Sequence, residues 1–215
     1  DVAGDVEVLS GILEVQAYNN GSGNDRVTLH VSGDFTVGSL AGNAGSVEIT
    51  RVNNGSGLDS ATLNVQGDID LSGAGAGMTT FDHGRATIRC SGNWSSASTN
   101  FCMTFGTVIL ESGTPIAVTS ECFPNLTLNP DTITSIEIDQ ILGNLIVGNG
   151  AELTMPVPTT INGGLTVETG GELESQSLDI GGVVTLGDST AIWITNGQTQ
   201  TLRGSYTSGG SVPVG

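Results

Sequence analysis

Apolar and polar residues alternate in short runs along most of this chain. Val27-Thr28-Leu29-His30-Val31, Ala61-Thr62-Leu63-Asn64-Val65 and Ala86-Thr87-Ile88-Arg89-Cys90 each place an apolar residue at every second position. A period of two belongs to an extended strand with one buried face, because successive side chains leave the backbone on opposite sides. No window of ten or more residues carries apolar residues at helical spacing. Gly-Asp, Gly-Asn and Gly-Gly pairs punctuate the runs, and at sharp corners glycine is expected to supply positive φ. The pattern predicts short strands and tight corners, beginning with a strand over 5–16 and ending with one over 199–208.

The runs also repeat. Residues 13–25 return 34 positions later as 47–59, and 27–35 return in the same register as 61–69, with a third copy of that strand at 86–94. In the second half, Gly143-Asn144-Leu145-Ile146-Val147 recurs 20 positions on as Gly163-Gly164-Leu165-Thr166-Val167, and a further step of 19 reaches Val184-Thr185-Leu186. Fixed-period similarity marks stacked units that bury their apolar faces only against neighbours. The expected fold is an all-β parallel β-solenoid, with a 34-residue step in the N-terminal half and a 19–20-residue step in the C-terminal half. The longer step would hold three strands, lengthened by loops at 19–24 and 40–45. A β-sandwich spaces its strands similarly, but sandwiches rarely repeat their sequence in register. Residues 1–105 and 106–215 are expected to form N-terminal and C-terminal coils of one continuous rod. Leu29, Leu63 and Ile88 should stack in one inward column, with Val31, Val65 and Cys90 in the next. Trp94 and Trp193 lie within or beside strands and are as well suited to a core as to a surface.

A resemblance rests on the middle of the chain. Phe123-Pro124-Asn125-Leu126-Thr127-Leu128-Asn129 resembles the F-x-N-L-T-I-N strand of very large secreted bacterial surface proteins. The run from Ile141 to Leu153 is similar to the L-x-G-N-L-T-V-x-x-G-x-L coil that follows it there. Gly92-Asn93-Trp94 resembles that family's G-G-N-W strand, and Gly106-Thr107-Val108-Ile109-Leu110 its G-T-V-T-F strand. The resemblance spans residues 84–194. It implies β-solenoid arrays of the kind found in bacterial adhesins, cell-surface fibres and matrix proteins.

Charge narrows the partners. The formal net charge is −17, with no Lys and Arg only at 26, 51, 85, 89 and 203. Nucleic acid is not expected as a partner, since phosphate binding needs a basic face. No apolar run is long enough to span a bilayer, so membrane insertion is not expected. The chain starts at Asp1 without a visible signal peptide, as expected of a processed chain or a segment of something longer.

Candidate chemistry is sparse. Asp82-His83 could form half of an acid–base pair, but no Ser or Cys lies in a nucleophile elbow. Gly187-Asp188-Ser189 falls between two repeating strands, where it reads as turn chemistry. Stacked carboxylates such as Asp34 over Asp68 could form a glycosidase pair only at a separation that sequence does not set. The Asn-Asn-Gly-Ser-Gly-x-Asp loops would stack Asp25 near Asp59, and oxygen-only ligands of this kind suit Ca²⁺. Cys102 and Cys122 lie 20 positions apart, about one coil, and are expected to form a disulfide in an oxidising setting. Asn20, Asn54, Asn93 and Asn125 each begin an Asn-x-Ser/Thr glycosylation sequon.

These readings point to an extracellular or cell-surface structural protein that is not an enzyme. Its partners would be identical subunits, joined through solenoid ends where Val6, Val8 and Leu9 lie, and possible contacts would include glycans or a cell-surface anchor. An uncapped strand edge is a template for pairing. The alternative is a stalk or ligand-binding module of a large adhesin. A β-helical polysaccharide-degrading enzyme has less support, and an ice-binding face suggested by Thr28, Thr62 and Thr87 has less still.

Overall fold

A computed structural model describes residues 1–18, 26–40, 43–52, 60–71, 79–82, 86–96, 106–112, 116–119 and 122–209. Among these residues the chain is all-β and contains no helix. It divides into two compact units, Asp1–Val108 and Ile109–Gly215.

In the first unit, successive strands visit three parallel sheets in rotation. Val6–Val8, Phe35–Val37, Ile69–Asp70 and Trp94–Ser95 lie side by side in one sheet. Gly11–Tyr18, Asn43–Val52 and Thr79–Asp82 form the second, and Arg26–Val31, Ser60–Val65 and Ala86–Cys90 the third. Parallel neighbours separated by a full circuit of the other sheets are consistent with a solenoid. Leu29 pairs with Leu63 and Leu63 with Ile88, while Val31, Val65 and Cys90 align in the same way. All of these except the half-buried Leu29 are buried, so the two columns read from the sequence are core columns. Phe35, Ile69 and Trp94 make a further buried column. The Trp94 indole N–H donates to Ser96 Oγ at 3.1 Å, so the buried donor is satisfied.

Local expectations change in three places. Residues 5–16 are not one strand: the chain turns after Val8 and continues as Gly11–Tyr18 in a different sheet, with Gly11 at φ 79°. Residues 199–208 likewise divide into Thr201–Leu202 and Tyr206–Ser208. The loop expected at 40–45 holds an antiparallel rung instead, pairing Ser39 with Ala44 and Leu40 with Asn43.

The second unit repeats the rotation. One sheet contains Ile116–Thr119, Ile133–Glu137, Glu152–Met155, Glu172–Ser175 and Ile192–Ile194. A second contains Cys122–Phe123, Gln140–Ile141, Thr159–Ile161, Leu178–Ile180 and Thr201–Leu202. The third contains Leu126–Leu128, Leu145–Val147, Leu165–Val167, Val184–Leu186 and Tyr206–Ser208. Every pairing is parallel, and each apolar inward residue lies against its counterpart one circuit away. The few polar residues in the core are hydrogen-bonded. Thr159 Oγ1 donates to the Ile138 carbonyl at 2.7 Å, and Ser175 Oγ accepts the Trp193 indole N–H at 2.9 Å.

Candidate functional site

Corner chemistry sets how the coils stack. In the first unit, Asp5 Oδ1 accepts the Asp34 backbone N–H at 3.0 Å, and Asp34 Oδ1 accepts that of Asp68 at 2.8 Å. Asp68 Oδ1 in turn accepts the Asn93 N–H at 2.7 Å. The second unit uses amides for the same purpose: Asn125 Oδ1 accepts the Asn144 N–H at 2.9 Å, and Asn144 Oδ1 that of Gly164 at 2.7 Å. Each side chain therefore caps a backbone donor one coil away. A Cβ on Gly33, Gly67, Gly92 or Gly143 would overlap the Asp or Asn oxygen of the neighbouring coil. None of these four glycines has positive φ. They are glycine because of close approach, which corrects the conformational reason expected from the sequence. Positive φ is needed at another corner, where Asp131, Gly150 and Gly170 lie at 61°, 67° and 67°.

The end of the second unit exposes the coil interior. Ile141, Ile161 and Ile180 form a buried column whose last member is Leu202, and Leu126, Leu145, Leu165 and Val184 form another that ends in Tyr206. Leu202 is 42% exposed and Tyr206 41%. The cause is position: each earlier residue has a coil on both sides, whereas these two have a described coil on one side only. Full burial of a large apolar side chain is worth roughly 1.5–3 kcal/mol, so each forgoes about 1 kcal/mol. Residues 201–209 are exposed throughout.

Two side chains pin this last coil to the preceding one. Gln200 Oε1 accepts the Leu178 N–H at 2.8 Å, and Gln200 Nε2 donates to the Gln176 carbonyl at 3.1 Å. The Arg203 guanidinium grips Asp179 through both carboxylate oxygens, with Nε to Oδ1 at 2.7 Å. That hydrogen bond and the attached charge hold the Asp179 carboxyl below its ordinary value and raise Arg203. Residues 189–209 contain this one Arg and no carboxylate, in a chain of net charge −17.

The first unit begins with the opposite charge. Residues 1–18 carry Asp1, Asp5, Glu7 and Glu14 and no basic side chain. Of the residues expected to serve assembly, Val8 is buried while Val6 and Leu9 are half-buried. Val6 N–H donates to the Asp34 carbonyl at 2.8 Å, and the Val8 carbonyl accepts the Gly38 N–H at 3.0 Å. Because residues of a parallel strand alternate between neighbours, the outward backbone groups belong to Glu7. Ile12 on the adjoining strand is 60% exposed. In the third sheet, Val27 and Leu29 are half-buried where their partners Ala61 and Leu63 are buried.

The other expected residues divide between described and undescribed positions. Asp25, Asp59, Asn20, Asn54, His83 and Cys102 lie outside the described residues. Cys122 is buried and disulfide-bonded, and Cys90 is a buried free thiol. Asn93 Nδ2 donates to both Asp68 oxygens, at 3.2 and 3.3 Å, and Asn125 belongs to the corner ladder. Both sequon amides therefore have a stacking role that sequence reasoning missed. The regular return of Asp or Asn after a corner glycine was its visible signal. Among the described residues, no group of three His, Cys, Asp or Glu side chains is disposed to hold a metal ion. Asp34 and Asp68 stack as read, with their Oδ1 atoms engaged by backbone N–H groups. Asp188 Oδ1 accepts from Thr190 N–H at 2.8 Å and Thr190 Oγ1 at 2.6 Å, and these bonds lower its pKa. This is turn chemistry.

An open groove of about 500 Å³ lies outside the third sheet of the second unit. Ile146, Thr166, Val183 and Thr185 line it beside Asn144, over a floor of glycines. In comparisons with known proteins, the chain matches no family model, no curated protein and no solved structure.

Proposed function

We propose that this chain is an extracellular structural protein, a parallel β-solenoid subunit or segment that assembles head to tail into a filament or surface fibre. Its coils would advance by 34 residues in the first half and by 19–20 in the second. The observation that carries this reading is the open coil at 201–209, where two buried columns end in the exposed Leu202 and Tyr206. A parallel edge with uncovered core residues favours addition of another coil. The resemblance to surface-fibre repeats supports the extracellular address, and the bonding of Asp188 to Thr190 supports reading Gly187-Asp188-Ser189 as a turn and not as a nucleophile motif. Ca²⁺ at Asp25 and Asp59, and glycans at the sequons, would be accessory to this role. The adhesin-stalk alternative draws on the groove beside Ile146 and Val183, whose threonines and Asn144 could face a polar ligand.

The deciding experiment is negative-stain imaging and sedimentation of the purified full chain at rising concentration. Fibres that lengthen with concentration are expected. Discrete monomers at every concentration would overturn the assembly reading and favour the stalk.

A further inference from the structure

The two described ends differ in charge and in what they expose. At the C-terminal coil, the Ser205 carbonyl accepts the Val184 N–H at 2.9 Å, and the Gly209 N–H donates to the Leu186 carbonyl at 3.0 Å. Alternation along a parallel strand then turns the Tyr206 backbone groups away from the preceding coil. Leu202 and Tyr206 lie exposed beside this edge, and no carboxylate occurs from residue 189 to 209. At the N-terminal edge, Glu7 presents the outward backbone groups, Ile12 is exposed, and residues 1–18 carry four carboxylates without a basic side chain. Two N-terminal ends would oppose four carboxylates to four, whereas the C-terminal coil meets them with no like charge.

Resting on the assembly reading, we propose that the coil at 200–209 is the acceptor surface for the N-terminal edge of a second copy. The strands Val6–Val8 and Gly11–Tyr18 would lead the incoming edge, and Leu202 and Tyr206 would be covered on docking. The contact is heterologous, because its two surfaces differ, and such a contact builds an open polymer unless its rotation closes a ring.

Paired end-blocked variants of the full chain test this. Leu202→Asp with Tyr206→Asp blocks the acceptor, and Glu7→Pro with Ile12→Asp blocks the donor. Each variant alone should lose the polymer seen for the unaltered chain. Mixed, they should form 1:1 complexes by sedimentation, because each retains one working end. Unchanged polymerisation of the acceptor-blocked variant would overturn this proposal and leave only assembly through some other surface. Closed dimers of the unaltered chain that disappear on blocking the acceptor would show tail-to-tail pairing and also overturn it. A monomeric unaltered chain would overturn both. Circular dichroism of each variant checks folding. The milder Leu202→Ser with Tyr206→Ser pair should raise the concentration needed for assembly at least several-fold, and no change there would count against the proposal.

Discussion

Asp68 accepts three hydrogen bonds from Asn93, one from its backbone N–H and two from its amide. Its main role is that of an acceptor at Oδ1, which an amide oxygen also fills, as Asn125 and Asn144 show, and only the long Oδ2 contact needs the second oxygen. Asp68→Asn should therefore leave the thermal midpoint nearly unchanged, while Asp68→Ala should cost about 1–2 kcal/mol at this exposed corner. Equal losses for the two variants would show that charge matters there. Gly67 is constrained by space, since an added Cβ meets both Asp34 Oδ1 and the Gly33 backbone. Gly67→Ala should destabilise by at least as much as Asp68→Ala in chemical denaturation. Gly150→Ala should cost about 1–2 kcal/mol for a different reason, its φ of 67°.

Across an element, neighbours one circuit away set the energetics. Leu63 is buried between Leu29 and Ile88, whereas Leu29 is half-buried at an edge. Leu63→Ala should cost about 2–5 kcal/mol, and Leu29→Ala distinctly less, because a cavity forms only where atoms enclose the site on both sides. Leu63→Asp should unfold its coil, since the core holds no partner for a carboxylate. The last coil should respond to acid. Asp179 and Asp188 both have lowered folded-state pKa values, so their stabilising contributions are present above the ordinary carboxylate value of 3.8 and are lost as pH falls through the folded values. Protection of residues 200–209 against hydrogen exchange, taken relative to the intrinsic rate at each pH, should fall below about pH 4. Asp179→Asn should raise exchange at neutral pH and flatten the acid response, and an unaltered response would mean that the Arg203 pair does not hold the coil.

For the whole molecule, charge and open edges act against each other. Each copy carries a net charge of −17, so raising ionic strength from about 0.01 to 0.15 M, which shortens the screening length from about 30 to 8 Å, should lower the concentration needed for assembly. Light scattering that falls with added salt would show instead that attraction between ends dominates. The strands, their inward faces and the columns Leu29–Leu63–Ile88 and Val31–Val65–Cys90 were legible in the sequence. Alternation is a local property of extended backbone, and repetition marks which strands are equivalent. The break between Val6–Val8 and Gly11–Tyr18 was missed, although the alternation changes parity at Val8-Leu9 and a Ser10-Gly11 turn signal stands between the two runs. The corner ladder was visible as recurring Gly-Asp and Gly-Asn pairs, but the same pairs occur in ordinary turns. Sequence alone therefore determined most of the strands and the side on which their residues lie. Only the tertiary structure decided that Asp68 caps Asn93, that Gly67 is glycine for want of space, and that Leu202 and Tyr206 end their columns uncovered. Those facts depend on what lies one coil away, a distance of only a few ångströms in space but some twenty to thirty-four residues along the chain.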